Sequence, residues 1–386
     1  MARLLILTPA ELTRDPRARR AASAAAAGGW DVWGLCAASG GEPVDLPGVT
    51  VVRVGGDAVS ARLRAAGLGG GRGDGPLLRE ARGLFRLLRL LRLTVALVRR
   101  AGAAGAVDVV HANDFDTLPA ATVVARRTRA RLVYDAHELY VEQEADAPRV
   151  HRAVAGAFER VLARRADAVV TVNGPIALEL ARRFRLRTAP IVVHNFPLRT
   201  DAPTRSAPTP PLRAVYQGAL GHGRQLDDLL DAAAAAGDEV RVTLRVVGVP
   251  VDELRRRANG RVEVLDPVPP DGLVEALAPF DVGIVVTRPL TRNDELATPN
   301  KLFEYLMAGL AVAVPRLPGV GPLVEEAEVG VTYAPGDPQD LARVLVELAR
   351  DSARLVTLRA NARAAALARY NAEAERPALA AAWGAR

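Results

Sequence analysis

Two Rossmann-like α/β domains, each built on a parallel sheet and facing the other across a cleft, are the fold class that these 386 residues predict. Three observations carry it. Short β-branched runs alternate with helical stretches along nearly the whole chain, the pattern of parallel sheets covered by helices on both faces. A Pro-, Thr- and Ser-rich stretch, PLRTDAPTRSAPTPP at 197–211, reads as a linker and divides that alternation into similar halves. Hydrophobic residues make up 49% of the chain, enough for two cores. The expected division is a first domain at 1–198, a linker at 199–211, a second domain at 212–371, and a C-terminal helix at 372–386 crossing back to the first domain.

In the first half the strands are expected at 3–8 (RLLILT), 31–36 (DVWGLC), 49–54 (VTVVRV), 107–112 (VDVVHA), 131–136 (RLVYDA), 167–172 (DAVVTV) and 189–195 (APIVVHN). In the second half they fall at 212–218 (LRAVYQG), 242–248 (VTLRVVG), 262–268 (VEVLDPV), 281–287 (DVGIVVT), 311–316 (AVAVPR) and 330–335 (GVTYAP). Helices fill the gaps, and AAAAA at 232–236 is a helix interior. Glycine-rich GLGGGRGDGP at 67–76 reads as a mobile loop. The following segment, 77–100, sets Arg79, Arg82, Arg86 and Arg89 at helical spacing against many leucines. Such a basic amphipathic helix either makes peripheral contact with an anionic membrane or turns a solvated arginine face outward.

The composition closes off several function classes. A single cysteine, Cys36, excludes a disulfide framework and a cysteine-based zinc site, and suits a reducing cytoplasm. The apolar run between Arg3 and Thr8 is too short for a signal peptide, and no apolar run reaches membrane-spanning length. Net charge +7 raises the question of nucleic acid, but the cations are scattered and aromatics are only 4%, so no stacking platform is visible and no nucleic-acid partner is expected. No HExxH or comparable ligand spacing appears, so no metal is expected.

Among 51 basic side chains one is lysine, Lys301, in DELATPNKLFEYLMAGL at 294–310. Thr298 is a good N-cap and Pro299 suits the first helical position, which puts Lys301 at N3. A cation there opposes the helix dipole at a cost of roughly 0.3–1 kcal/mol, unless an anion sits at the same helix end. The reading that asks least is a solvated Lys301–Glu304 pair at i,i+3.

TPNKLFEYLMAGL (298–310), YQGALGHGRQLDDLL (216–230) and VHANDFDTLPAATVVARRTRARLVYDAHELY (110–140), together with DPRARRAASAAAAGGWDV (15–32) and GVGPLVEEAEVGVTYAPGDPQDLA (319–342), resemble family-4 glycosyltransferases of the GT-B fold. The resemblance implies a metal-independent, retaining enzyme that takes a sugar from a nucleotide-diphosphate sugar, held by the C-terminal domain, to a hydroxyl acceptor (saccharide, lipid or natural product) held by the N-terminal one. It gives Glu304 the role of binding the ribose hydroxyls, sets Thr298, Pro299, Asn300 and Lys301 near sugar or diphosphate, and gives Arg224, with Gly218 and Gly221 before it, the role of binding the diphosphate. Two departures stand out. Where many relatives carry a second glutamate, this chain has Leu296 beside Glu295, and where a basic partner often follows the arginine it has Leu229.

In the first half, His111 and Asp114 follow one strand, and Asp135, His137 and Glu138 follow the next, so two titratable clusters meet at adjacent strand ends. Relatives often show His-x-His-Asp here; His111, Ala112, Asn113, Asp114 leaves His137 or Asn113 to stand in for the second histidine. His151 and His194 are read as structural or left open. Rival readings are a GT-B sugar-nucleotide epimerase or related non-sugar transferase, and a catalytically silent nucleotide-binding protein of the same fold. The expected location is cytoplasmic, with peripheral membrane contact through 77–100 as the variant.

Overall fold

The computed structural model of the chain describes residues 1–37, 45–55, 76–201, 208–220 and 226–384. The chain forms two compact units, Met1–Val193 with Arg376–Arg386, and His194–Glu375. The loop expected at 67–76 lies, but for its last residue, outside the described residues, as does the middle of the stretch at 199–211.

The first unit is built on strands β1 (Arg3–Thr8), β2 (Asp31–Ala37), β3 (Val49–Val54), β4 (Val109–Asn113), β5 (Arg131–Ala136), β6 (Ala168–Thr171) and β7 (Ile191–Val192). They form a seven-stranded parallel sheet in the order β3-β2-β1-β4-β5-β6-β7. Helices α1 (Pro16–Ala27), α2 (Pro76–Ala101), α3 (Leu118–Thr128), α4 (Arg149–Ala163) and α5 (Gly174–Phe184) cover it. Each central strand reads as a continuous apolar run because both of its faces are covered. Asp15 starts α1 by accepting the N–H groups of Arg17 and Ala18, with Pro16 at the first helical position.

The second unit carries β8 (Leu212–Ala219), β9 (Val240–Val247), β10 (Glu263–Val264), β11 (Val282–Ile284), β12 (Ala311–Pro315) and β13 (Gly330–Tyr333), ordered β10-β9-β8-β11-β12-β13 and parallel throughout. Its helices are α6 (Leu226–Ala236), α7 (Val251–Ala258), α8 (Leu273–Leu277), α9 (Arg292–Leu296), α10 (Asn300–Met307), α11 (Gly321–Glu326), α12 (Pro338–Arg350) and α13 (Ser352–Ala368). A last helix, α14 (Ala372–Trp383), ends the chain, and its Leu379, Ala382 and Trp383 lie in the core of the first unit with Leu4, Ile6 and Ala18. The first boundary falls at Val193 rather than 198. The reason is Phe196, which packs with Phe303 and Tyr370 in the core of the second unit, while His194 stacks on Phe196 and meets Glu375 at 2.9 Å.

In both sheets the strand order reverses next to the first strand, between β1 and β4 and between β8 and β11, and in open α/β sheets ligands bind beyond the carboxyl ends at such a point. At the second of these, β11 is short and stops pairing with β8 after Gly283↔Val215. Tyr305 closes the gap: its buried hydroxyl accepts from Gln217 N at 2.9 Å and donates to Ile284 O at 3.2 Å. Its ring lies flat on Gly283, where an added Cβ would come within 2.2 Å of ring carbons. Among the described residues no helix is long and apolar enough to cross a membrane.

Replacing Tyr305 by Phe leaves a buried N–H and a buried C=O without their partner. A loss of about 1–3 kcal/mol is expected in urea unfolding, and Gly283→Ala should cost at least as much because ring and helix must shift. A Tyr305→Phe chain as stable as wild type would show that the hydroxyl bridge does not hold α10.

Candidate functional site

Helix α10 brings the second unit's candidates together. Pro299, not Thr298, occupies the N-cap, so Lys301 stands at the second helical position rather than the third. Thr298 forgoes capping because its hydroxyl donates to Gly319 O at 3.0 Å, and Gly319 N in turn donates to Glu295 O at 2.9 Å. Gly319 is required there: a Cβ would lie 2.4 Å from Leu296 O. The solvated Lys–Glu pair is overturned as well. Lys301 is buried, with its ammonium 3.8 Å from the centre of the Tyr216 ring, a cation–π contact that offsets the charge's cost at a helix start. Gly218 flanks it at φ +109°, and a Cβ there would stand 3.1 Å from Lys301 Nζ, so the glycine provides both the backbone turn and the room. One turn deeper, Glu304 accepts a hydrogen bond from the Gln217 side-chain amide. Gly218, Lys301 and Glu304 thus converge on the end of β8, with Asn300 opening the helix. Gly221 and Arg224 lie outside the described residues.

The two departures from the family pattern have plain structural settings. Leu296 is buried at the end of α9, and Glu295 beside it pairs with Arg292 at 2.5 Å. Leu229 is a core residue of α6. Beside Leu229 in α6, Asp228 is held by Arg288, which follows β11, through two hydrogen bonds at 2.8 and 3.1 Å.

In the first unit the cluster at the β1/β4 reversal is larger than the expected set. His111 and Asn113 lie within β4 rather than after it, and both are buried. Asn113 donates its amide to Asp15 at 2.8 Å, so its oxygen, 3.0 Å from His137 Nε2, accepts from that ring. Asp135, at the β5 end, is gripped by Arg17 through two bonds at 2.6 and 2.8 Å, while a third Arg17 nitrogen donates to Val193 O. His111 Nε2 faces the same carboxylate at 3.4 Å. On its far side His111 Nδ1 accepts from the Trp383 indole N–H at 3.2 Å, which leaves the proton of the neutral ring on Nε2.

The electrostatics follow from burial and Arg17. Burial alone would raise the Asp135 carboxyl, but the Arg17 guanidinium and the His111 contact hold it well below the usual carboxylate range. Burial pushes His137 down to about 4, the Asp135 charge opposing and Arg17 adding to the shift. A neutral His137 with Nε2–H given to Asn113 keeps a lone pair on Nδ1, the form that can accept a hydrogen bond or a proton. Asp114 sits at φ +68° and accepts from Phe115 N, and burial, with Asp116 next, raises its carboxyl well above the usual range. Glu138, half-buried after β5, contributes charge to that effect. His194 meets Glu375 as described. His151 is buried against Tyr140, and burial lowers its titration. Among the described residues no group of three or more His, Cys, Asp or Glu is placed to hold a metal ion.

Arg17, Asp15 and Trp383 were not singled out by the sequence. The one local signal was Asp15-Pro16, a helix start.

His137 gives a pH prediction. Its folded value lies below the ordinary 6.5, so between about 6.5 and 4 the unfolded chain takes up a proton that the folded chain refuses. This group therefore makes stability fall as pH drops through that window, by up to about 3 kcal/mol. Glu159, which burial raises to about 7 from 4.5 and which accepts from Tyr134, tilts the other way between those values, so the variant comparison is what isolates His137. His137→Asn should flatten the acid side of a urea-denaturation series run from pH 4 to pH 7; an unchanged slope would rule the assignment out. Trp383→Phe should cost about 1–3 kcal/mol in the same assay, since it strands a buried ring nitrogen.

A family model described as Glycosyl transferase 4-like domain matches residues 15–196, and one described as Glycosyl transferases group 1 matches residues 211–351. No curated protein sequence matches the chain. Among solved structures it is similar to sucrose-phosphate synthase from Thermosynechococcus elongatus, at 16% identity and a TM-score of 0.74, with 98% of this chain and 97% of that one covered. It is likewise similar to HepE from Anabaena in complex with UDP and glucose, at 16% identity and a TM-score of 0.70 over 100% of both chains. TarM from S. aureus, in complex with Fondaparinux, alpha-GlcNAc-glycerol and UDP, aligns at 13% identity and a TM-score of 0.60, with 75% of this chain and 59% of that one. The two parallel-sheet units are those of a GT-B fold, and the chain belongs to the family-4-type glycosyltransferases.

Proposed function

We propose that this glycosyltransferase is a retaining, metal-independent hexosyltransferase that moves a sugar from a nucleotide-diphosphate sugar to a hydroxyl acceptor. The observation that carries the donor part is the cationic nest at the end of β8. A buried ammonium, a glycine at positive φ and a helix N-terminus stand together, with a carboxylate one turn along the same helix. That arrangement suits a diphosphate at Lys301 and the helix amides, and a ribose at Glu304. The complexes of HepE with UDP, with UDP-glucose and with UDP and glucose support a uridine nucleotide as the first to try.

In this reading the acceptor hydroxyl attacks the anomeric carbon from the face that the diphosphate leaves. The C–O bond to the β-phosphate breaks, the new glycosidic bond forms on that same face, and the hydroxyl proton passes to the leaving phosphate oxygen. The protein's share is electrostatic. Lys301, Arg224 and the Asn300 end of α10 stabilise charge growing on the β-phosphate, a contribution worth roughly 3–4 kcal/mol per well-placed donor. His137, held neutral by burial, is suited to accept a hydrogen bond from sugar or acceptor, and His111, Asn113, Asp114 and Glu138 shape its surroundings.

The test is a thermal-shift screen of nucleotide-diphosphate sugars. One nucleotide class should raise the Tm of wild type, by an amount equivalent to about 2.7 kcal/mol at a hundred times its Kd. Glu304→Ala should lose most of that gain, and Lys301→Arg should lose a large part despite keeping the charge. Turnover in excess chelator, with the product's anomeric configuration read by NMR, checks metal independence and retention. If no nucleotide shifts wild type, or if both variants respond as wild type does, the donor assignment fails. Stabilisation without diphosphate release with any acceptor would point instead to a silent binding protein.

A further inference from the structure

Helices α2 and α4 lie side by side in the first unit: a Cβ on Gly83 would stand 2.8 Å from Pro148, just before α4, and 3.2 Å from His151 within it. Glu80 of α2 ties the pair further by accepting the N–H groups of Arg149 and Val150 at the start of α4. Each helix buries one edge and leaves an apolar stripe outside. On α2 the stripe is Leu84, Leu88, Leu91 and Val95, spaced by 4, 3 and 4 residues; on α4 it is Val150, Val154, Phe158 and Val161. All eight are between 39% and 59% exposed, although they include the bulk of two helices' outward hydrophobic surface. Solvent alone gives no reason for two adjacent stripes of this kind.

The charges around them are mostly positive, although Arg86 of α2 pairs with Glu144 at 2.8 Å and Asp146 is exposed just before α4. Arg89, Arg92 and Arg99 are exposed on α2, and Arg149 and Arg152 on α4. The single acid of α2, Glu80, is spent on the backbone of α4, and the single acid of α4, Glu159, is buried against the Tyr134 hydroxyl. A second copy of the same face would set arginine against arginine, which disfavours self-association. A nucleic acid would meet the arginines and leave the leucines and Phe158 wet. A bilayer with anionic headgroups meets both demands at once, taking the apolar side chains into the headgroup–acyl boundary and the guanidinium groups onto phosphate.

We propose that the α2/α4 face docks this enzyme on an anionic lipid surface. The face shares no residue with the donor nest, so the proposal stands or falls apart from the nucleotide reading.

The test is co-sedimentation of the full chain with phosphatidylcholine vesicles, with and without phosphatidylglycerol. Wild type should sediment with the anionic vesicles and not with the neutral ones, and added salt should weaken the binding. Leu88→Glu combined with Leu91→Glu should reduce partitioning at least ~10-fold, and Val154→Glu should act in the same direction, with Tm unchanged because these positions are exposed. Arg92→Glu with Arg99→Glu should remove the preference for anionic lipid. Three results would overturn the proposal: no binding of wild type to anionic vesicles, variants that bind as well as wild type, or a wild-type dimer that these substitutions split without any vesicle binding. Retention of wild type on DNA with no binding to vesicles would assign the face to nucleic acid instead.

Discussion

A single phenol oxygen holds the second unit's candidate site in place. Where β8 and β11 part, Gln217 N and Ile284 O would face a gap in the sheet, and buried backbone polar groups must find partners. Tyr305 serves both from within α10, while its ring rests on a residue that has no side chain. The position and rotation of α10 are then fixed together. Because Lys301 and Glu304 lie four residues and one residue before Tyr305, fixing the tyrosine directs both toward the end of β8. The hydrogen bond from Gln217 to Glu304 and the contact of Lys301 with Tyr216 come from the two residues just before Gly218, so strand and helix specify each other.

The first unit solves a comparable problem with charge. A buried ion pair such as Arg17–Asp135 is weak evidence of stability, since desolvation consumes much of its attraction. It is better evidence of orientation. Arg17 uses its remaining nitrogen on Val193, Asp135 faces His111, and Trp383 sets the tautomer of His111 from the opposite side. Every donor direction around the carboxylate is thereby fixed. His137, at 3.9 Å from that carboxylate, is left neutral by its surroundings. Asp114 holds a backbone conformation that side chains rarely adopt, and such strain is found where the surrounding structure over-determines it.

The strands were legible because central parallel strands are apolar on both faces, and each of the thirteen expected runs overlaps one. The ends were less so. The runs at 189–195 and 262–268 shrink to two residues each, β7 and β10, because a continuous apolar run does not show where pairing stops; the edge strand β3 keeps all six of its residues. Helix α10 starts one residue late relative to the sequence rule since the capping hydroxyl of Thr298 is drawn to Gly319, a tertiary partner that no local pattern reveals. Lys301 and Glu304 were legible from composition and family likeness, and Gly218 from its place before them. Arg17 and Trp383 were not, because their partners Asp135 and His111 are 118 and 272 residues away in the chain.

The lone lysine now has a physical reason. Elsewhere in this chain arginine serves wherever a cation is needed, on exposed faces and in forked pairs with carboxylates, where its planar five-donor head is an advantage. At position 301 the space is bounded by the face of Tyr216 on one side and by the bare α-carbon of Gly218 on another, with only 3.1 Å between the ammonium and the point where a Cβ would begin. A guanidinium is broader than that space and would carry its charge beyond the ring. A compact ammonium fits and keeps the charge at the helix N-terminus, against the face of Tyr216. The conflict with the helix dipole is thus local, since a cation at that end is unfavourable until a phosphate shares it.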